Sequence, residues 1–533
     1  MRKNSLDLAW LAVWPVIGVL VWVYYGDTLQ WYLVADDFGM LEKGLWGFRL
    51  LLTYYCPPHW LPVPNLFFHI FYQLFGVHYS WWHLTSLVLH TFNALLAMVL
   101  VSEIYPGKKM TKFLTPVFFV TFAMNYEVVF YISGIFYSLM ASMYLLAIVC
   151  YSRYLRMSVS NAGNTKMRRM GMLAITAFLM VLALLTQEAS SFLIITLFAW
   201  ELAVHNRNIN LPLLEYAKGF YRHTGKYFLL GGMLVLLFCI RFRAFGFPSM
   251  SHPSVPSAEE ILVNYARAAA YLVFPFSPLL AFEIQRDTII PIFAILLVSF
   301  LLVFWKCKNS RFPLVNIVIA LSPTLLFSII QARYLYLASI FCSMLLASAI
   351  DGLADAVSSG VGRAKTAIKL SIVALACFPI LFLDKQMLDR RIKEWQKASE
   401  LSLRIDSFLA STYKTPEMVA GKTLVFLNLP EGVPSSEVWP AYVALVCTHC
   451  RFNLMFDRIV ASIANVQLYC LPADIIVAFT DTNVFAYAPV IEREALRNMC
   501  ASPSYDVYVW DSVNERLRQF CESRESIKNG MPQ

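Results

Sequence analysis

The long apolar runs that recur from Leu8 to Leu383 constrain this chain more than any other feature. A hydrocarbon core of about 30 Å takes roughly 20 residues of helix to cross. Runs of about that length centre on residues 8–25, 81–104, 113–128, 130–152, 170–187, 189–205, 227–245, 286–305, 312–331, 334–350 and 366–383. They predict an all-α polytopic membrane protein with about eleven transmembrane helices. Only 14% of the 533 residues are charged, where a soluble domain has about a quarter.

The basic residues lie between the runs, so the net charge of +9 bears on orientation and gives no reason to expect a nucleic-acid partner. With the N-terminus in the cytoplasm, the inner connections take the clusters at Lys108–Lys112, Arg153–Arg169, Arg207–Lys226, Lys306–Arg311 and Arg363–Lys369. Inner Lys and Arg then outnumber outer ones roughly three to one, which favours this orientation. Leu8 to Tyr25 is long for a signal-peptide core and no small-residue cleavage site follows, so it reads as the first span. Ile261 to Phe282 carries Arg267, Pro275 and Pro278; within 258–284 it is expected to lie on the outer face and not to cross. In the outer first loop, 26–80, four prolines (Pro57, Pro58, Pro62, Pro64) are expected to break Phe38–Phe75 into two short amphipathic pieces.

Eleven crossings place the tail outside. The boundary is expected near 385, giving a membrane domain over 1–385 and an extracytoplasmic domain over 386–533. The tail should open with a polar helix to about Ser411 and continue as a small α/β or mostly β soluble domain. Its strands are expected at Thr423–Pro430 and Asp474–Phe479. Five cysteines fall there, among them the Cys447-Thr-His-Cys450 pair. Without a second such pair a zinc site is not expected, and a structural disulfide within the tail is.

The sharpest chemical feature is Asp36-Asp37 in the first loop, two adjacent acids just beyond an apolar span. Such acids can serve as a base or hold a cation. Arg241, Arg243 and Arg333 sit at outer helix ends against the charge bias; each snorkels to headgroups or faces a polar cavity. A guanidinium grips phosphate oxygens in a fork, which makes Arg333 with Tyr334 and Tyr336 the first candidate phosphate site and Arg243 the second. Glu127 and Glu188 are expected at the outer face, and His59 joins them as a candidate substrate contact. His83 and His90 lie seven apart, on one helix face, where an interhelical hydrogen bond is a better expectation than a metal. No metal site is predicted, and a divalent-cation requirement is left open.

Several stretches in order carry a resemblance. Ala35-Asp36-Asp37-Phe38, Pro62-Val-Pro-Asn65-Leu-Phe-Phe-His69, Phe75-Gly76 and His83 to His90, followed by Asn125-Tyr-Glu127, Thr186-Gln-Glu188 and Arg333-Tyr-Leu-Tyr-Leu, together resemble the GT-C glycosyltransferases. The likeness is closest to the protein O-mannosyltransferase-like and transmembrane TPR-type branch, and covers roughly residues 8–350. Asn125 and Gln187 stand where that branch has His-Pro and Lys, Ala338 stands where it has Pro, and no TPR repeat follows. The resemblance implies a GT-C-like fold and an inverting transfer from a polyprenyl-phosphate-linked sugar to an envelope glycan, lipid or protein acceptor, with Asp36 or Asp37 as the base. It places the chain in a bacterial inner membrane. A transporter or flippase of a lipid-linked substrate and a non-catalytic scaffold are the competing readings. The acids lie in a loop and not mid-span, and no inverted repeat is visible, which weighs against transport.

Overall fold

The computed structural model describes residues 8–54, 59–159, 165–205, 224–245, 257–273, 298–322, 331–358, 365–429 and 490–511, with Ile295 and shorter stretches of the tail. The chain divides into two compact units. One comprises Met1–Gly26, Leu52–Pro64 and Trp82–Arg390; the other comprises Asp27–Leu51, Asn65–Trp81 and Arg391–Gln533.

The first unit is helical, as expected for segments whose backbone polar groups find no water to bond. Among the described residues seven helices are long and apolar enough to cross a membrane: Tyr79–Ile104, Ile132–Met157, Lys166–Thr186, Glu188–His205, Gly225–Phe245, Ala332–Ser358 and Lys365–Thr412. A bent pair makes an eighth when taken as one span. Leu8–Tyr25 is also helical. The chain is thus a multi-pass membrane protein. Most of 286–297 and 323–330 lies outside the described residues.

The span expected at 113–128 is broken. Its helix stops at Thr121, Phe122 turns extended with ψ 113°, and the chain resumes at an angle of 53°. The backbone groups freed by the break are bonded: Ala123 N–H donates to Asp384 Oδ1 at 3.3 Å, and Asn125 Nδ2 donates to the Phe119 carbonyl at 2.7 Å. Asn125 Oδ1 in turn accepts from Ser339 Oγ at 3.0 Å. A side chain on Gly134 would stand 2.7 Å from the Val128 carbonyl, so the tight return into Ile135–Val159 needs glycine.

Polar side chains join the helices inside this unit. Asn93 Nδ2 donates to the Ser138 carbonyl at 2.9 Å, and Ser142 Oγ donates to Asn93 Oδ1 at 2.7 Å. His90 Nδ1 lies 2.9 Å from the Tyr336 hydroxyl, the interhelical bond expected of this histidine.

In the second unit the first loop folds into short helices, Asp37–Leu41 and Phe48–Thr53. The proline-rich stretch separates these from the Pro62–Phe75 helix, which Pro62 and Pro64 open, where a missing N–H costs nothing. Gly44 packs against the Tyr72 ring so closely that a Cβ would overlap it at 2.0 Å.

Lys365–Thr412 is one helix of 48 residues, so the change in composition near 385 falls within a continuous element. No proline or glycine interrupts it from Ile380 to Thr412, and the shift from apolar to charged residues does not end a helix. The rest of the tail forms an α/β arrangement. We label its strands β1 (Thr423–Leu427), β2 (Gly432–Val433), β3 (Ala441–Tyr442), β4 (Asn465–Tyr469), β5 (Tyr505–Asp511) and β6 (Arg516–Gln519). The main sheet runs β4-β1-β5-β6, with the first three parallel and β6 antiparallel, while β2 and β3 form a separate ribbon. Leu424 to Leu427 are all buried, as befits a central parallel strand covered on both faces. Val425, Leu427, Ile491, Leu496, Val507 and Val509 form a core cluster. A Cys500–Cys521 disulfide packs against that cluster. The strand expected at 474–479 and Cys447 lie outside the described residues.

Candidate functional site

The two acids of the first loop differ in setting. Ala35 takes φ +42°, unusual for a residue with a Cβ, and this sharp turn separates Val34 from the Asp37–Leu41 helix. The turn buries Asp37 completely; its Oδ2 accepts from Val34 N–H at 3.1 Å and closes the loop on itself. Asp36, at the helix start, is exposed. Of the two, Asp36 is the exposed one and Asp37 is committed to the backbone. Phe38, the next residue, is buried against the Arg451 guanidinium, 3.8 Å from the ring centroid. A cleft of about 210 Å³ in the same unit is lined by Tyr32, Phe38, Leu403, Asp406, Ser407 and Arg451, among others.

In the first unit the candidate charges pair. Glu127, in the Tyr126–Phe130 helix that follows the break, accepts from Arg333 N–H through Oε2 at 3.0 Å, and its Oε1 lies 3.5 Å from Arg333 Nη1. The Tyr334 ring lies 5.9 Å from the same guanidinium. Arg333 keeps a buried Nε without a partner. Tyr336 is used differently: it is fully buried, and its hydroxyl bonds with His90 and with Asn93 Nδ2 at 3.2 Å. Its polar atom therefore belongs to the helix packing.

A second cluster gathers at Glu188, where the Thr165–Thr186 helix gives way to a 3₁₀ turn. Glu188 Oε2 lies 3.2 Å from His59 Nδ1, Oε1 accepts from Trp60 N–H at 3.1 Å, and Arg241 Nη1 lies 3.5 Å from Oε1. His59 is 39% exposed and Arg241 13%, so the cluster grades from surface to interior. Trp60 packs with Leu184, Leu185, Leu237 and Phe238 around a narrow crevice beside this pair. Arg243, two residues on, is exposed.

Tyr137 connects the two clusters. Its hydroxyl accepts from Gln187 Nε2 at 3.3 Å, and its ring centroid lies 6.1 Å from that of Tyr334. Gln187 is buried with an unpartnered Oε1. Sequence reasoning missed Trp60, Tyr137 and Arg451. Nothing at Tyr137 or Arg451 marks them, whereas Trp60 beside His59 between two proline pairs was a usable signal. Among the described residues no group of three or more His, Cys, Asp or Glu side chains is disposed to hold a metal ion.

No protein-family model matches the sequence, and no curated protein matches it. Among solved structures the chain is similar to ArnT from Cupriavidus metallidurans bound to undecaprenyl phosphate. That likeness has a TM-score of 0.45 and 12% identity, and covers 95% of this chain and 94% of the other. It is also similar to the apo form of the Archaeoglobus fulgidus oligosaccharyltransferase, with a TM-score of 0.42 and 11% identity, covering 73% of this chain and 56% of the other.

Proposed function

We propose that this chain is a GT-C-type membrane glycosyltransferase that moves a sugar from a polyprenyl-phosphate donor to an acceptor hydroxyl on the extracytoplasmic side, with inversion at the anomeric carbon. The observation that carries the reading is the setting of Asp36: an exposed carboxylate held next to a strained Ala35, in the motif position that the GT-C resemblance assigns to the base. In this mechanism Asp36 takes the proton of the acceptor hydroxyl. The freed oxygen bonds to the anomeric carbon as the bond from that carbon to the phosphate oxygen breaks, and polyprenyl phosphate departs with the electron pair. A base and a compensating cation are the two requirements of such a step.

Arg333 and Arg241 are the cations assigned to the donor phosphate. Each already pairs with a glutamate, so each is held in place before the donor arrives. Tyr334 and His59 flank them, and exposed Arg243 is assigned to donor headgroup contacts. Asp37 keeps the loop closed and has no proton-transfer role. The acceptor is an envelope glycan, lipid or protein. The inner-membrane location, with the N-terminus cytoplasmic and the tail periplasmic, is supported by the distribution of Lys and Arg and by the Cys500–Cys521 disulfide, a bond favoured in an oxidising compartment.

The test compares envelope glycans and glycoproteins, by mass spectrometry, from cells with the gene intact, deleted, or carrying Asp36→Asn. Loss of the same sugar from the deletion and from the Asp36→Asn cells is expected. Identical glycans in all three overturn the proposal.

A further inference from the structure

The loop that carries Asp36 is not held by its own residues alone. Three side chains around Asp36 are gripped by the tail within the second unit. Tyr32 donates its hydroxyl to Asp406 Oδ2 at 2.7 Å and its backbone N–H to Ser399 Oγ at 2.6 Å. Glu42 accepts from Asn453 Nδ2. Between them, Phe38 lies under the Arg451 guanidinium. Arg451 is at the centre of this grip: its side chain is fully buried, Nη1 bonds to Asp406 Oδ1, and Nη2 donates to Ser402 Oγ at 3.1 Å.

A buried guanidinium is a costly way to fill space, since apolar side chains of similar volume usually stabilise a core as well or better. What it adds is direction. Its plane can stack on a ring while its edge bonds a carboxylate, and neither Lys nor Met can do both. Here the face meets Phe38, two residues from Asp36, and the edge meets Asp406, which also holds Tyr32. One side chain therefore sets the register of the loop on both sides of the candidate base.

We infer that Arg451 is a positioning residue: by stacking on Phe38 while paired with Asp406, it fixes the Ala35–Asp36 turn so that the Asp36 carboxylate is presented in one orientation. The role rests on the reading of Asp36 as the base. The grip itself does not, and the two can fail separately.

The experiment uses the full chain, purified in nanodiscs, with Arg451→Lys and the double variant Arg451→Met with Asp406→Leu. The double variant removes both buried charges, so it folds without an unpaired ion. Hydrogen exchange is followed at amides 36–41 and, as an internal reference, at 423–427 of β1. Sugar transfer is followed in membranes with a lipid extract of the same cells as donor. Protection at 36–41 should fall at least tenfold in the double variant and severalfold in Arg451→Lys, with 423–427 unchanged. The maximal transfer rate should fall at least tenfold in the double variant, while the extract concentration giving half that rate stays the same. Unchanged protection at 36–41, or an equal loss at 423–427, overturns the inference whatever the activity does. Full transfer by a double variant with loosened 36–41 amides overturns it too. If Asp36→Asn transfers sugar at the full rate while the Arg451 variants still loosen the loop, the functional reading fails and the grip stands.

Discussion

The first loop and the break after Thr121 both hold an acid close to apolar helix, and they hold it in opposite ways. Asp36 is exposed behind a left-handed Ala35, with the buried Asp37 taking the backbone bond that closes the turn. Glu127 is only 7% exposed, and both its oxygens face Arg333. In the proposed mechanism the difference separates two chemical tasks. The base must be exposed to an acceptor hydroxyl, and Asp36 is exposed. A glutamate held to a guanidinium has its lone pairs occupied, and its contribution is to keep that cation where an anion can use it. The adjacent acids Asp36 and Asp37 thus differ in setting as much as Asp36 and the distant Glu127 do.

The largest effect that would break this comparison is on turnover. Asp36→Asn should lower sugar transfer by about 10²- to 10⁴-fold, the range for a lost general base, whereas Glu127→Gln should leave a slower but measurable rate. Transfer rates in membranes decide it, and the reverse order would exchange the two roles.

A smaller effect sharpens it from the side of stability. Glu127→Gln leaves the Arg333 guanidinium, 18% exposed, without its carboxylate. A cost of about 3 kcal/mol is expected, toward the lower end for breaking a buried pair. Asp36→Asn, at an exposed position, should change stability by less than about 0.5 kcal/mol. Denaturation of the two variants in the same nanodiscs gives both numbers. Pairing Glu127→Gln with Arg333→Met should recover most of the lost stability.

The smallest expected effect concerns Tyr336. Tyr336→Phe removes a hydroxyl shared by His90 and Asn93, at an expected cost of about 1 kcal/mol in the same denaturation measurement.

The membrane character of the chain was legible because bilayer thickness imposes a length that sequence shows directly. Asp36-Asp37 and Arg333 stood out because charge beside apolar runs is costly. Which acid is exposed was not legible, because it depends on the φ of Ala35, a residue that gives no hint of a left-handed turn. The break at Phe122 escaped because residues on both sides are apolar. The groups that heal it, on Asp384 and Asn125, are contacts that a hydropathy window does not register. The prolines mark the division between Phe48–Thr53 and Pro62–Phe75, because proline cannot continue a helix but can open one. The Glu127–Arg333 pair spans 206 positions and the Arg451–Asp406 pair 45, and such pairings are made by folding rather than by local pattern.

The account depends most directly on the side of the membrane that residue 36 occupies. Asp36→Cys, reacted in cells with a permeabilised outer membrane against a thiol reagent that cannot cross the inner one, reports this without knowledge of the sugar. The account predicts labelling beyond that of the unsubstituted protein before the inner membrane is opened. Labelling that appears only after the inner membrane is opened would put the carboxylate on the cytoplasmic face and contradict it.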